Sequence, residues 1–272
     1  MTAGNKDDSK RPERSDVMHR VSTRYVDNLA THIYNNRSSM GVAAAKMVCE
    51  RINILLRQQD FVNMIFAAAP SQNEFLDALI KNKQVGWSRV NAFHMDEYIG
   101  LAPNDPRLFS AFLGEKIFGR LPFRTINYIN GNTADQPSEC ERYTELLKQY
   151  PPDIVCMGIG ENGHLAFNDP PVADFNDPVK VKIVRLDPEC RQQQVNDGCF
   201  KTLMEVPTHA LTLTIPALMA GKYIYCIVPG EKKVKAVFNT LNAVISEKHP
   251  STILRKHVDA VLFLDKDSSS LL

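Results

Sequence analysis

Four places in the chain combine residues that can do chemistry, and each follows an apolar run. The run Arg89–Met95 gives way to Asp96-Glu97-Tyr98, two adjacent carboxylates where the backbone leaves its apolar surroundings. A carboxylate partly withdrawn from water has its pKa raised toward that of a working general base. The same pair could cap a helix or sit in a solvated loop. The run Ile154–Gly158 opens into Gly158-Ile159-Gly160-Glu161-Asn162-Gly163-His164, then Leu165-Ala166-Phe167-Asn168-Asp169-Pro170-Pro171. Its first part matches the dinucleotide fingerprint GxGxxG, which requires a long following helix. Pro170 and Pro171 end any helix within two turns, so that reading fails on context. What remains is a glycine-rich turn presenting His164 among Glu161, Asn162 and Asp169. A histidine held by a carboxylate has a fixed tautomer and is tuned for proton transfer near neutral pH.

The other two places suit an anion. After Ala69 comes Pro70-Ser71-Gln72-Asn73-Glu74, where Ser71 and Glu74 have the spacing of a capping box. A helix start exposes free N–H groups and the positive end of the dipole, which suits a phosphate; a plain helix cap is the competing reading. Tyr223–Val228 ends in Pro229-Gly230-Glu231-Lys232-Lys233, placing lysines in an expected first helical turn. That position is unfavourable against the dipole unless an anion is bound, although a solvated lysine pair would read the same way. Arg191, in Cys190-Arg191-Gln192-Gln193-Gln194, is a further basic candidate. His94 is expected to pack or to lend hydrogen-bonded support.

The elements that must position these residues alternate along the chain. A helix over Ser39–Gln59 precedes an apolar run at Phe61–Ala69, and another helix after Ser71 precedes Arg89–Met95. Arg107–Phe118, Thr125–Ile129, Ser138–Tyr150, Ile154–Gly158, Leu211–Ile215, Tyr223–Val228, Lys232–Val244 and Ala260–Leu264 continue the pattern. Apolar strands without period-two alternation, separated by amphipathic helices, require a parallel sheet covered on both faces. The expected fold is α/β: three layers around a mostly parallel, doubly wound, Rossmann-like sheet. Ligands bind such sheets at the carboxyl ends of strands, where the four junctions fall.

Composition narrows the function further. The 272 residues carry 32 Lys+Arg and 31 Asp+Glu, a formal charge of +1, which gives no basic field for nucleic acid or a membrane surface. No window approaches the about 18 uninterrupted apolar residues of a membrane-spanning helix. Residues 1–16, rich in charge, are expected to be a disordered tail, and 17–272 a single domain. The start lacks the apolar core of a secretory signal, so a cytoplasmic location is expected. Six cysteines without paired spacing argue against a disulfide scaffold or a zinc site; Cys156 and Cys226 read as small buried hydrophobes.

MDEYIGL at 95–101 together with GIGENGHLAFNDP at 158–170 resembles the glucosamine-6-phosphate deaminase/isomerase family, which includes galactosamine-6-phosphate enzymes. The similarity extends through Leu211–Pro216, the VPGEKK turn and STILRKHVDAVLFLD, covering residues 20–266. The related 6-phosphogluconolactonases lack MDEY followed by GHLAFND. The resemblance implies deamination with aldose-ketose isomerisation of an amino sugar phosphate: glucosamine 6-phosphate to fructose 6-phosphate and ammonia. Galactosamine 6-phosphate, or sugar-phosphate sensing without turnover, stands as the alternative. It implies that Asp96 moves a proton between C2 and C1, and that His164, oriented by Asp169 and with Asn162 beside it, opens the sugar ring. Ser71, Gln72, Glu97, Gly163, Arg191 and Lys233 are implied as substrate-binding. No metal or organic cofactor is implied, the partner is the small-molecule substrate, and a homo-oligomer is possible. Two departures stand out. A TGGTP-like phosphate loop of bacterial members is replaced by Ala68-Ala69-Pro70-Ser71-Gln72, and Asn162 stands where they carry Asp.

Overall fold

The computed structural model describes residues 20–272, so the tail expected at 1–16 lies outside the described residues. The strands are β1 (Arg20–Val26), β2 (Leu29–Tyr34), β3 (Val62–Phe66), β4 (Val90–His94), β5 (Asp96–Tyr98), β6 (Thr125–Asn127), β7 (Ile154–Met157), β8 (Val181–Arg185), β9 (His209–Leu213), β10 (Tyr223–Val228) and β11 (Ala260–Asp265). The helices are α1 (Arg37–Leu56), α2 (Asn73–Lys81), α3 (Phe109–Leu113), α4 (Gln136–Gln149), α5 (Pro188–Asn196), α6 (Ile215–Met219) and α7 (Val234–Asn242). The main sheet has the order β1-β2-β11-β10-β7-β3-β4-β6 and is parallel from β2 to β6. β1 pairs antiparallel with β2.

Burial on both faces explains the absence of polar alternation in the central strands. Along β10, Tyr225 and Ile227 join a core cluster with Met40, Ala44 and Val48 of α1, whereas Ile224, Cys226 and Val228 join the opposite one with Val237 and Leu241 of α7. Each such side chain contributes roughly 1.5–3 kcal/mol when fully buried, which only a sheet covered on both faces can collect at every position. The architecture is therefore the three-layer, mostly parallel α/β fold. α1 starts two residues before its expected boundary because Asn36 caps it, accepting from the Ser39 amide at 2.9 Å. Cys156 and Cys226 lie buried in their strands, and all six cysteines are free thiols.

Two features position the site. From β3 the chain builds one half of the sheet through β4 and β6, then returns to β7 and builds the other through β10 and β11, so the direction reverses between β3 and β7. The crevice of a doubly wound sheet opens at such a reversal. A second, antiparallel sheet of order β5-β9-β8 leans over that edge.

Candidate active site

Asp96 is not in a loop. Immediately after β4 the chain changes sheets, and Asp96 pairs with Thr212 of β9. Thr212 Oγ1 accepts from the Phe167 amide at 3.1 Å, and Asn168 donates to the Leu213 carbonyl at 2.8 Å. β9 thus fastens the Asp96 segment to the His164 segment, although more than sixty positions separate them in sequence. Around them lies a hollow, open to solvent, lined among others by Ser71, Asp96, His164, Gln193, Gln194 and Lys233. Residues 67–69 after β3 and 158–160 after β7 also line it, with Phe109 and Phe167 among its apolar residues.

The Asp96 carboxylate accepts no hydrogen bond from the described residues and is 7% exposed. Burial, reinforced by the neighbouring Glu97 charge, holds its pKa well above the ordinary carboxylate range. Across the hollow, His164 Nδ1 lies 2.9 Å from Asp169 Oδ1, in a bent approach rather than an in-line hydrogen bond. With Nδ1 turned to the carboxylate, Nε2 is left for the hollow. Gly160 makes room for this: a Cβ there would overlap the imidazole ring. Burial pushes the Asp169 carboxyl up, but the His164 ring close beside it and the Asn162 amide outweigh that and leave it below its usual value. Asn162 does not touch the imidazole. Its Nδ2 donates to Asp169 at 3.0 Å and its Oδ1 accepts the His164 amide at 3.0 Å, so it holds the turn and the carboxylate together. An aspartate here could not donate to Asp169. Of the two acids near His164 in sequence, Asp169 takes the orienting position; the Glu161 side chain is 3.5 Å from Asn196 of α5 instead.

Lys233 is the one cation lining the hollow among the described residues; it is 6% exposed. Burial lowers its pKa, partly offset by Asp197 and Glu161. Ser71 lines the same region, with its Oγ 3.3 Å from Gln72 Nε2, which also donates to the Ile227 carbonyl at 3.1 Å. Gln72 therefore supports Ser71 rather than lining the hollow.

Several expectations need correction. The capping box of Ser71 and Glu74 does not form: Ser71 sits inside a 3-10 turn, Pro70–Gln72, without a side-chain cap, and Glu74 pairs with Arg37 at 2.9 Å. Lys233 likewise closes a 3-10 turn, Glu231–Lys233, ahead of α7. Glu97 turns away from the hollow, where it accepts from the amides of Tyr98, Phe109 and Ser110 at 2.9, 3.0 and 2.8 Å. Arg191 also points elsewhere, donating to the carbonyls of Leu203 and Val206 at 2.6 and 2.7 Å. Gly163 supplies only the turn, at φ +89°. His94 is structural: its Nε2 accepts the Ile129 amide at 2.8 Å, and burial lowers it to about 3, so it stays neutral.

Sequence reasoning missed Gln193 and Gln194. Gln193 Oε1 accepts the Glu161 amide at 2.7 Å, and Gln194 Oε1 accepts the Tyr98 hydroxyl at 2.8 Å, so both amides are oriented as they line the hollow. Helical periodicity could have found them, because Cys190, Gln193 and Gln194 share one face of α5 and Arg191 does not. The donors of His164, Asp169 and Cys190 lie within 4.8 Å of one another, a set that could hold a metal ion. Burial pushes the Cys190 thiol well up, so it remains a protonated thiol beside Asp169 and would have to lose that proton to act as a ligand.

The fold and this constellation define a three-layer α/β protein with acid–base groups and one buried lysine around a crevice at the carboxyl ends of its parallel strands. The chain belongs to the family described as glucosamine-6-phosphate isomerases/6-phosphogluconolactonase, whose sequence model matches residues 35–263. Among its relatives, a glucosamine-6-phosphate deaminase of Listeria monocytogenes serotype 4a (strain HCC23) is 34% identical over 211 residues, covering 78% of this chain and 88% of that protein. A glucosamine-6-phosphate deaminase of Clostridium acetobutylicum is 31% identical over 242 residues, covering 88% and 98%. A solved structure of a monomeric glucosamine-6-phosphate deaminase superposes with a TM-score of 0.82 at 26% identity, covering 89% of this chain and 99% of that one. A 6-phosphogluconolactonase from Thermotoga maritima shares the fold at a TM-score of 0.71 and 18% identity, over 88% of this chain and 100% of that one.

Proposed function

We propose that the hollow converts glucosamine 6-phosphate and water into fructose 6-phosphate and ammonia. The observation that carries this reading is the placement of Asp96, the His164–Asp169 pair and Lys233 around one crevice, in a chain whose relatives are deaminases of this substrate. Lys233 and the Ser71 hydroxyl take the phosphate, which anchors the sugar relative to the base. His164 Nε2 accepts the anomeric hydroxyl proton and returns one to the ring oxygen, while Asp169 steadies the imidazolium. Asp96 then takes the C2 proton of the open aldehyde. The C–H electron pair becomes a C1–C2 double bond, and the carbonyl oxygen gains a proton. Return of a proton to C1 leaves an imine at C2, where water adds and ammonia departs. A C2 proton is weakly acidic, so its acceptor must be a base withdrawn from water and free of competing donors, as Asp96 is.

The test is ammonia release from glucosamine 6-phosphate and, separately, from galactosamine 6-phosphate. Turnover of the first with the higher kcat/KM is expected. Tight binding of both without ammonia would overturn the reading and make the hollow a sensor.

No helix among the described residues is long and apolar enough to cross a membrane. The partner in this reading is a small sugar phosphate, and the cytoplasm is where such a substrate would be met.

A further inference from the structure

The loop that delivers Lys233 rests on a carboxylate outside the hollow. Asp265 is the last residue of β11, beside β10 in the sheet, and is wholly buried. Among the described residues it has no cationic partner. Its two oxygens instead accept the Gly230 amide at 3.0 and 3.1 Å, and Oδ1 also accepts the Ser268 amide at 2.8 Å. The Asp265 amide points back to Ser268 Oγ at 3.2 Å, closing a tight C-terminal turn beneath the carboxylate. A buried carboxylate without a counter-charge is unfavourable unless amide donors compensate it, and here the donors come from two separate loops.

What the contact holds is unusual backbone. Gly230 has φ +91°, and the chain then enters the single 3-10 turn Glu231–Lys233, closed by the Lys233 amide on the Gly230 carbonyl at 3.1 Å. One turn of 3-10 helix has little stability of its own; Lys233 is held between Gly230, which precedes the turn, and the start of α7, so the anchoring of Gly230 fixes one of its two ends.

We propose that Asp265 is a positioning residue for substrate phosphate: by gripping the Gly230 amide it fixes the turn that carries the Lys233 ammonium into the hollow. The proposal rests on the phosphate-binding role assigned above to Lys233. It places a specificity determinant on the C-terminal strand, in a residue that never touches the substrate. Its effect is confined to binding, because the proton-transfer groups stand on β5 and on the turn after β7, which Asp265 does not contact.

The experiment measures kcat and KM for glucosamine 6-phosphate, and affinity for inorganic phosphate by calorimetry, in Asp265→Ala, Asp265→Asn and Lys233→Met, and in Asp265→Ala combined with Lys233→Met. Asp265→Ala is expected to raise KM and weaken phosphate binding about tenfold with kcat within about twofold. Asp265→Asn, which keeps an acceptor for the Gly230 amide, is expected to recover most of that loss. The double variant is expected to bind no worse than Lys233→Met alone, because one change acts through the other. A merely structural role would lower stability and leave the KM of the surviving folded protein unchanged, which would overturn the proposal; so would additivity in the double variant. Should Asp265→Ala not fold, Gly230→Ala asks the same question. A Cβ there meets only Arg37 Nη1 at 3.9 Å, so the change acts through φ alone. It too must weaken phosphate binding, and normal binding in it would defeat the proposal. Absence of ammonia from the wild type would remove the deaminase reading while the phosphate titrations still decide the role of Asp265.

Discussion

Asp96 and Glu97 are consecutive residues of β5, both carboxylates and both almost wholly buried. Successive side chains of a strand face opposite ways, and the two environments differ accordingly. Glu97 finds three backbone amides, two at the start of α3 and one from Tyr98 beside it in β5, and although burial raises its pKa, those donors work against the rise. Asp96 finds none among the described residues, so burial acts on it unopposed and the Glu97 charge adds to it. Glu97 is thus an anchor for the α3 turn, and Asp96 is a base kept hungry for a proton. Burial alone does not make a carboxylate reactive; the supply of donors decides.

The contrast can be broken most directly at Asp96. Asp96→Asn should lower kcat by roughly 10³-fold, within the range for loss of a general base, while substrate affinity in calorimetry stays near wild type. Because the folded-state pKa of Asp96 is raised, its contribution to stability is present below the ordinary carboxylate range and is lost as pH rises through the raised value. The Asn variant escapes that loss, so its Tm should exceed wild type by more at pH 8 than at pH 5. Unchanged turnover would remove Asp96 from the mechanism. For the same reason the acid limb of the wild-type kcat/KM profile should lie above the usual carboxylate range.

Glu97→Ala should do the reverse. Stranding three amides at about 1–3 kcal/mol each predicts a loss of about 3 kcal/mol or more in urea denaturation. Whatever protein remains folded should keep its kcat, with the acid limb of its kcat/KM profile moved down because the Glu97 charge no longer adds to the rise at Asp96. A stable Glu97→Ala protein with impaired catalysis would return Glu97 to the substrate-binding role that its position suggested.

Asp169→Asn extends the comparison to a carboxylate that is both anchored and used. It should reduce kcat roughly 10²-fold with little change in KM, since the imidazole loses its charged partner while the phosphate contacts stay intact. The smallest effect is expected at Arg191. Arg191→Met should leave KM within about twofold of wild type and lower stability by about 1–2 kcal/mol through the lost carbonyl contacts. A tenfold rise in KM would put its guanidinium back at the phosphate.

Legibility followed the range over which each feature is decided. The central strands β3, β4, β7 and β10 were readable because burial on both faces writes itself as an unbroken apolar run. β1 was not, since Arg20–Val26 is an exposed edge whose polar composition reflects solvent rather than the sheet. The small sheet of β5, β9 and β8 was missed as a sheet because its pairing joins segments far apart in the chain, and no local pattern encodes a partner. Ser71 and Glu74 had the spacing of a capping box, but Arg37 of α1 claims Glu74 and leaves the turn uncapped.

From the chain alone one can derive the three-layer α/β architecture, the four junctions where chemistry would gather, and the residue types able to move protons and hold an anion, since each follows from local periodicity or from a side chain's own chemistry. Which carboxylate is free and which is bound, that Asn162 serves Asp169, that Gln193 and Gln194 replace Arg191 at the hollow, and that Asp265 steadies Lys233 were decided only by folding. Those properties depend on which donors, charges and backbone turns come within a few ångströms, and such distances are set by contacts between segments that the linear order keeps apart.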